Sequence, residues 1–136
     1  MARMTERMKQ LLMEVKTASF ATSDPHGIPN VVPVGAKKII DDETILISDQ
    51  FFNKTLANVM ANPKVALTFW HHHEGYQIKG IVSLETQGER YEETAAWIAE
   101  RSRKDGFPRK CKGVLVLHID AIYSVAPGPG AGRQLA

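Results

Sequence analysis

Apolar and polar residues follow one another along the chain with spacings that change between those of helices and those of strands. Met4, Met8, Leu11, Leu12 and Val15 recur at helical spacing, which predicts an amphipathic N-terminal helix with one face buried. Shorter runs of β-branched and apolar residues predict strands over 16–22, 29–40, 44–48, 64–70, 76–86 and 113–124. The last of these runs is almost continuously apolar, which indicates a strand buried on both faces.

Two further segments have helical spacing. One helix is predicted over 53–61, with Asn53 as its N-cap and Asn62-Pro63 as its stop. Its apolar stripe is made of Leu56, Val59 and Met60. The other helix is predicted over 89–104. This longer helix connects the strands predicted over 76–86 and 113–124, and we expect it to flank the sheet.

The strand predicted over 29–40 contains Pro33. Because proline has no N–H to donate, we expect this strand to lie at a sheet edge or to bulge at Pro33. Turn residues at 41–43 join it to the strand over 44–48, which predicts a hairpin. Short turns join most of the strands, and this favours a mainly β fold with flanking helices. We therefore expect an antiparallel sheet closed into a barrel, not a doubly wound parallel sheet.

Length and composition limit how this pattern can be organised. The chain has 136 residues, of which 43% are hydrophobic and 24% charged, as in an ordinary globular domain. We expect a single domain over 1–125, followed by a tail over 126–136. The tail is rich in proline and glycine, and the sequence predicts that it is loosely ordered.

Charge and cysteine content exclude several classes of partner. The 17 basic and 15 acidic residues give a net charge of +2, too weak to predict a nucleic-acid or membrane-surface partner. No apolar run approaches the roughly 18 residues that a membrane-spanning helix needs. Cys111 is the only cysteine, so a disulfide framework within the chain is excluded. We expect a soluble cytoplasmic protein in which Cys111 is structural.

The segment from Ser48 to Asn58 is the strongest candidate for chemistry. A strand ends there and a helix begins with Lys54 and Thr55 in its first turn, where free backbone N–H groups and the positive end of the helix dipole gather. An added ammonium and hydroxyl group make a place for a phosphate, and Asn58 can reach the same point. The alternative is an ordinary capped helix with a solvated lysine. A cation at a helix N-terminus is slightly unfavourable, which favours a bound anion.

Two weaker candidates lie on other strands. The segment from Asn30 to Gly35 could lie along a planar heterocycle if the strand bulges, although a purely structural bulge is the simpler interpretation. Gln77 and Lys79 share the face of their strand that points away from the core, where they could meet solvent or a ligand.

The run His71-His72-His73 invites a zinc interpretation, but successive side chains diverge in an extended loop. No Cys or His elsewhere in the sequence has the spacing of zinc ligands, and the run followed by Glu74 is not the helical H-E-x-x-H pattern. We therefore predict no metal site. Trp70 and Tyr76 flank the loop, and such aromatic groups at a rim are apt to border a planar ligand.

Taken together, these residues resemble the FMN-binding split-barrel family related to pyridoxamine 5′-phosphate oxidase, in its small single-domain members. The resemblance covers residues 5 to 125 in order. The features that carry it are Ala21-Thr22 before a turn with Gly27, Pro29-Asn30-Val31-Val32-Pro33-Val34, Asp42-Glu43-Thr44-Ile45, Asn53-Lys54-Thr55 with Asn58 and Asn62-Pro63, and Tyr76-Gln77-Ile78-Lys79-Gly80.

The resemblance implies a six-stranded antiparallel Greek-key barrel and a homodimer with two FMN sites, each shared by both protomers. It implies that Lys54 and Thr55 hold the phosphate, with Asn53 and Asn58 nearby. The remaining implied contacts are Val32, Pro33 and Val34 along the isoalloxazine, Ser48 and Asp49 along the flavin or ribityl chain, and Gln77 and Lys79 as further contacts. At least one histidine of 71–73 is expected near the flavin mouth or the partner protomer.

The sequence also departs from the family's namesake. The arginine-rich phosphate pattern and the C-terminal Arg/His substrate motif of true pyridoxamine phosphate oxidases are not recognisable, so we do not expect that reaction. We predict an FMN-dependent oxidoreductase that exchanges electrons with a small-molecule donor or acceptor, without a catalytic side chain that the sequence identifies. The alternatives are a non-catalytic flavin-binding, electron-transfer or sensor module, and a barrel of the same fold that binds the deazaflavin F420 or haem.

Overall fold

The computed structural model describes residues 2–136. Within that range the chain forms three helices and seven strands. In chain order these are α1 (Glu6–Glu14), β1 (Ala18–Ser23), β2 (Pro29–Val34), β3 (Lys37–Asp41), β4 (Thr44–Asp49), α2 (Lys54–Ala61), β5 (Lys64–His71), β6 (Glu74–Glu85), α3 (Glu89–Asp105) and β7 (Gly113–Ser124).

All seven strands belong to one antiparallel sheet in the order β2-β1-β5-β6-β7-β4-β3. The two edge strands, β2 and β3, follow each other directly in the chain. The short link between them therefore joins the two edges of the sheet and closes it into a split barrel. The mainly β fold and the β3–β4 hairpin are confirmed.

The single strand predicted over 29–40 is in fact two strands, so the barrel has seven strands and not six. At Gly35 and Ala36 the chain leaves β1 and turns toward β4, where the Ala36 carbonyl accepts the Ser48 N–H at 2.9 Å. Pro33 lies in β2, opposite Ser19, on the edge of the sheet. The expectation that this proline lies at an edge is confirmed.

Apolar side chains fill the barrel and dock α1 against it. Phe20, Leu11 and Leu12 are fully buried, and all six residues of β4 are buried. Fully burying one such side chain contributes about 1.5–3 kcal/mol. The N-terminal helix begins with a capping box in which the Thr5 hydroxyl accepts the Met8 N–H at 3.2 Å. The amphipathic N-terminal helix is therefore confirmed.

One part of the prediction for α2 is wrong. Met60, which was assigned to its apolar stripe, is 66% exposed, and the buried residues of α2 are Thr55 and Val59. The helix is only eight residues long and packs against β1 and β2. Its buried face is therefore narrow and includes a threonine, which hydrophobic periodicity alone does not mark.

The C-terminal tail is ordered, contrary to the expectation from its composition. β4 pairs with β7 only as far as His118, so the backbone of β7 beyond that point needs another partner. The tail supplies it, because the Leu135 N–H donates to the Ile122 carbonyl at 2.8 Å and the Ser124 N–H donates to the Arg133 carbonyl at 2.9 Å.

The histidine run forms a tighter turn than expected. β5 ends at His71 and β6 begins at Glu74, so only His72 and His73 connect them. His72 has a φ of 53°, in the left-handed region. Among the helices of residues 2–136, none is long and apolar enough to cross a membrane.

Candidate functional site

A cavity of about 380 Å³ lies between β2 and the loop that leads from β4 into α2. Its volume falls in the range of about 300–1,000 Å³ that is typical of small-molecule sites. It is lined by Asn30, Val32, Pro33, Val34, Gly35, Ala36, Ser48, Gln50, Phe51, Phe52, Asn53, Lys54 and Thr55. One side of the cavity is therefore apolar strand, and the other side is the start of a helix.

The loop over residues 50–53 is fixed from behind by Asp49 and Lys112. The Asp49 carboxylate accepts the Phe52 N–H at 2.9 Å, and the Lys112 ammonium donates to the Phe52 carbonyl at 2.8 Å. The Phe52 ring then stacks on Phe20 with ring centroids 6.0 Å apart. Because the loop is held at these points, Gln50 and Phe51 keep fixed positions at the cavity.

Asp49 is almost completely buried, and this burial raises the pKa of its carboxyl group. The Phe52 N–H and the Lys112 ammonium, whose Nζ lies 3.7 Å from an Asp49 oxygen, oppose that shift. Asp49 lies behind the loop and does not line the cavity. Its contacts position the loop.

The first turn of α2 lies at the end of the cavity and carries no side-chain cap. Asn53 occupies the N-cap position, but its side chain makes no capping hydrogen bond. The first-turn N–H groups therefore lack the usual side-chain partner. Lys54 is exposed and forms no ion pair within residues 2–136. This end of the cavity offers positive charge and backbone donors to an anion.

A polar network beneath the cavity ties α2 to the sheet. The Asn30 amide donates to the Thr55 hydroxyl at 3.0 Å and to the Thr22 hydroxyl at 3.2 Å. The Asn58 amide donates to the same Thr22 hydroxyl at 3.0 Å. These groups satisfy one another, and they fix the first turn of α2 relative to β1 and β2.

Two residues that line the cavity each carry a buried polar atom without a hydrogen-bond partner in the described part of the chain. The Ser48 hydroxyl oxygen and the Gln50 side-chain carbonyl oxygen are buried, and neither has a hydrogen-bond partner within residues 2–136. Both residues line this cavity. An unsatisfied buried polar group costs about 1–3 kcal/mol, so such groups call for an explanation in a folded protein. One explanation is a ligand that supplies the missing hydrogen-bond partners.

The structure brings together most of the residues that the sequence assigned to the site. Val32, Pro33, Val34, Ser48, Asn53, Lys54 and Thr55 line the cavity. Asp49 lies behind the loop, and Asn58 is engaged with Thr22. Gln77 and Lys79 lie apart from this cavity, on the outer face of β6. The proposed contacts of all these residues with a cofactor stay predictions.

Asn30, Gln50 and the two phenylalanines after it lie in the two segments that the sequence named as candidates, but the sequence assigned no contact to any of these four residues. Gln50 is a single amide between a fully buried strand and Phe51-Phe52, and a polar residue in such surroundings was the available signal. Asn30 alternates with Val32 and Val34 along β2, so its inward orientation follows once the strand's register is known.

Two other features of the molecule are weaker candidates for a site. A larger, open groove of about 860 Å³ borders the start of α3, but its Glu85 and Arg90 side chains pair with each other. Within residues 2–136, no group of three or more His, Cys, Asp or Glu side chains is arranged to hold a metal ion. The His71 and His72 rings lie 4.0 Å apart, and the role predicted for the histidine run stays a prediction.

The chain is similar to known proteins over almost its whole length. A family model described as pyridoxamine 5′-phosphate oxidase matches residues 4–126. An uncharacterized protein of Methanocaldococcus jannaschii is 38% identical over 137 residues, covering 98% of this chain and 89% of that protein. HupZ of Group A Streptococcus has a TM-score of 0.78 at 27% identity, covering 95% of this chain and 99% of that chain.

More distant solved structures share the fold. An FMN-binding protein from Syntrophomonas wolfei has a TM-score of 0.75 at 20% identity, over 88% of this chain and 84% of that one. An F420 reductase has a TM-score of 0.63 at 18% identity, over 84% and 94% of the two chains. The heme storage protein HutZ from Vibrio cholerae has a TM-score of 0.66 at 20% identity, over 90% and 95%.

Proposed function

The chain belongs to the pyridoxamine 5′-phosphate oxidase family, and we propose that it binds FMN in the cavity between β2 and α2 and acts as a flavin-dependent oxidoreductase. The observation that carries this proposal is the pair of buried, unpartnered atoms, Ser48 Oγ and Gln50 Oε1, on one cavity wall. They lie opposite an apolar strand and beside an uncapped helix start. A ligand with a planar, hydrogen-bonding ring and a phosphate matches all three features.

The chemistry of the isoalloxazine ring fits the two unpartnered atoms. Its pyrimidine edge presents an N–H between two carbonyl groups. The Gln50 carbonyl can accept that N–H, and the Ser48 hydroxyl can donate to a ring carbonyl. Val32 and Val34 offer apolar contact to the ring. Once bound, FMN supplies hydride and electron chemistry, and the protein supplies position and electrostatics.

The phosphate of FMN fits the start of α2. Lys54 provides an ammonium without an ion-pair partner in the described chain, and the first-turn N–H groups of α2 are uncapped. The Thr55 hydroxyl accepts from Asn30 and keeps its own proton to donate. Together these donors favour a dianionic group over an uncharged ligand end.

Haem and F420 are the competing cofactors, because two solved structures with this fold are an F420 reductase and a heme storage protein. The residues that line the cavity include no His, Cys, Met or Tyr, the side chains that hold haem iron. F420 presents the same pyrimidine edge as FMN, so Ser48 and Gln50 fit both. The visible absorption spectrum of the purified protein separates the three, and we expect the bands of an oxidised flavin.

We also propose a homodimer in which each FMN site is shared. The outer face of the sheet carries two adjacent rows of side chains that run across five strands and are mostly small or apolar, apart from Gln77 and Lys79. By strand register, the rows are Val31, Ala21, Ala66, Lys79 and Ala121, and Pro33, Ser19, Thr68, Gln77 and Tyr123. A second copy packed here would bring its own Gln77 and Lys79 toward the neighbouring FMN site.

Replacing Ala66 at the centre of this face by arginine tests the dimer. Ala66→Arg places a bulky charge among small side chains and should convert the protein to a monomer with weaker FMN binding. Sedimentation gives the mass and a fluorescence titration gives the FMN affinity. Ala96→Arg, at an exposed position of α3, is the matched control and should stay dimeric. A stable wild-type monomer that binds FMN tightly would contradict the shared site.

Oxidoreductase activity itself is tested by electron donors. The cavity wall offers no side chain positioned as a general acid or base, so the proposed chemistry depends on the flavin. NADH or NADPH should reduce the bound FMN with saturation kinetics, and a small-molecule acceptor should reoxidise it. Slow reduction that is independent of the donor would favour the second candidate, an electron-transfer or sensor module. In either role we expect a cytoplasmic protein, because its single cysteine cannot form a disulfide within the chain.

A further inference from the structure

Two exposed phenylalanines meet at the rim of the cavity. Phe51, which lines the cavity, is 65% exposed, and Phe107, from the segment after α3, is 57% exposed. Their ring centroids are 6.2 Å apart and their planes are nearly perpendicular, at 83°. In an edge-to-face pair the edge of one ring points at the face of the other, and both of these side chains stay more than half exposed. Because the two rings are exposed, the fold gains little of the stabilisation that burying a phenylalanine side chain provides.

The backbone that carries the two rings is anchored by hydrogen bonds. Gly106 ends α3 in the left-handed conformation, with a φ of 71°. The Phe107 N–H then donates to an Asp105 carboxylate oxygen at 3.0 Å, and the Phe107 carbonyl accepts the Ser102 hydroxyl at 2.8 Å. Phe51 is fixed by the Asp49 and Lys112 contacts of its neighbour, Phe52. The pair is therefore a built feature of the rim.

Two cations beside the pair, Arg109 and Lys112, are already engaged, and Lys54, which lines the same cavity, is assigned to the FMN phosphate. Arg109 lies over the Phe107 ring, with its guanidinium carbon 5.7 Å from the centroid, and it is ion-paired with Asp105. Lys112 is hydrogen-bonded to the Phe52 carbonyl. Neither residue is free to recognise a charged group at the pair. The recognition that remains is apolar contact and ring stacking.

We propose that Phe51 and Phe107 form a docking wall for the planar aromatic ring of the small molecule that approaches the bound flavin. The inference rests on the proposed function, because the flavin defines which side of the cavity a second molecule can approach. The proposed substrate is a small molecule whose end nearest the cavity is an uncharged aromatic ring. Neither phenylalanine belongs to the two rows of the outer face on which a second copy is proposed to pack.

The test uses a redox-inert ligand pair and measures binding. The FMN-loaded protein is titrated calorimetrically with 2-naphthol, which is planar, and with 2-decalol, its saturated counterpart. The wild type should bind 2-naphthol more tightly. Phe51→Ala and Phe107→Ala should each weaken 2-naphthol binding about five- to tenfold, the size expected for losing an aromatic partner. Phe107→Leu should lose most of the preference for the planar ligand. Met60→Ala, an exposed apolar residue away from the cavity, is the control and should change nothing.

The outcomes separate this inference from the proposed function. Unchanged 2-naphthol affinity in both alanine variants, with FMN binding intact, would overturn the docking wall and leave the flavin proposal standing. A drop in sedimentation mass in either variant would instead assign the pair to a contact between copies, and would also overturn it. If the wild type took up no FMN, the flavin proposal would fail. The same titrations on the flavin-free protein would then show whether the phenylalanines bind planar rings on their own.

Discussion

Two sets of polar groups lie at the same corner of the barrel, and they differ in whether their hydrogen bonds are satisfied. Thr22, Asn30, Thr55 and Asn58 satisfy one another through three amide-to-hydroxyl hydrogen bonds. Ser48 Oγ and Gln50 Oε1, on the facing wall of the cavity, are buried without partners. We call the first set the closed network and the second the open pair. The closed network stabilises the fold, whereas the open pair costs stability until a ligand binds.

The contrast extends to charge. Around α1, Arg7 pairs with Glu74 and Lys9 pairs with Asp42, and these pairs lower the pKa of both carboxyl groups. At the cavity, Lys54 has no such partner within residues 2–136. Other basic residues, such as Lys64 and Lys79, also lack an ion-pair partner in the described chain. Lys54 is distinguished by its place, because it lines the cavity beside the uncapped start of α2 and the open pair.

Removing the unpaired cation should have the largest effect on FMN. Lys54→Ala should weaken FMN binding by about 1.5–3 kcal/mol, as for loss of a charge-assisted hydrogen bond, and should leave riboflavin binding unchanged. Fluorescence titration measures both. Lys64→Ala, an exposed lysine at the start of β5, serves as the control. Unchanged FMN affinity in Lys54→Ala would mean that Lys54 is merely solvated.

Breaking the closed network should lower stability. Thr22→Val keeps the shape of the side chain but removes the acceptor of two amides, and it should reduce the free energy of unfolding of the flavin-free protein by about 1–2 kcal/mol. Urea denaturation measures the change. Thr86→Val, at an exposed position, should have almost no effect. A stability loss no greater than that of the control would show that the network is not important for folding.

Changing the open pair should lower the affinity for FMN without lowering the stability of the flavin-free protein. Ser48→Ala and Gln50→Leu should each weaken FMN binding by about 1 kcal/mol. Because each removes a buried unsatisfied group, neither should destabilise the flavin-free protein, and either variant could be more stable than the wild type. Gln87→Leu, an exposed glutamine, is the control. Loss of stability without loss of FMN affinity would place Ser48 and Gln50 with the closed network.

Asp49 adds a smaller effect that depends on pH. Burial raises the pKa of its carboxyl group in the folded state above the unfolded value of about 3.9. The folded protein therefore disfavours the ionised form, and stability falls as the pH rises from about 4 through the raised folded pKa. Asp49→Asn keeps the acceptor for the Phe52 N–H, and its stability should not show this fall. Denaturation of both proteins between pH 4 and 7 measures it. A wild type that gains stability over the variant with rising pH would mean that Lys112 outweighs burial.

Much of the fold could be predicted because local patterns determined it. Alternation along β6 and the apolar run of β7 were sufficient to identify those strands, and Pro33 was sufficient to place its strand at an edge. The break at Gly35 and Ala36 was missed, since only strand pairing shows that the chain changes partners there. The ordered tail was missed for the same reason, because its partner is the unpaired part of β7.

The site was predictable only in part. Lys54 and Thr55 are recognisable because a helix start has a sequence signature, and Val32 and Val34 because their strand alternates. The sequence marks Gln50 only as an amide before two phenylalanines, and its lack of a hydrogen-bond partner is visible only in the structure. Gln77 and Lys79 lie on the outer face, so their proposed contact with FMN depends on a second protomer.

The central claim is that this cavity is built for a flavin phosphate, and paired titrations of the flavin-free protein with FMN and riboflavin test it most directly. The account predicts that FMN binds once per chain, with the visible spectrum of a bound oxidised flavin, and clearly more tightly than riboflavin. Equal affinities for the two, or a protein that takes up haem and no flavin, would contradict it.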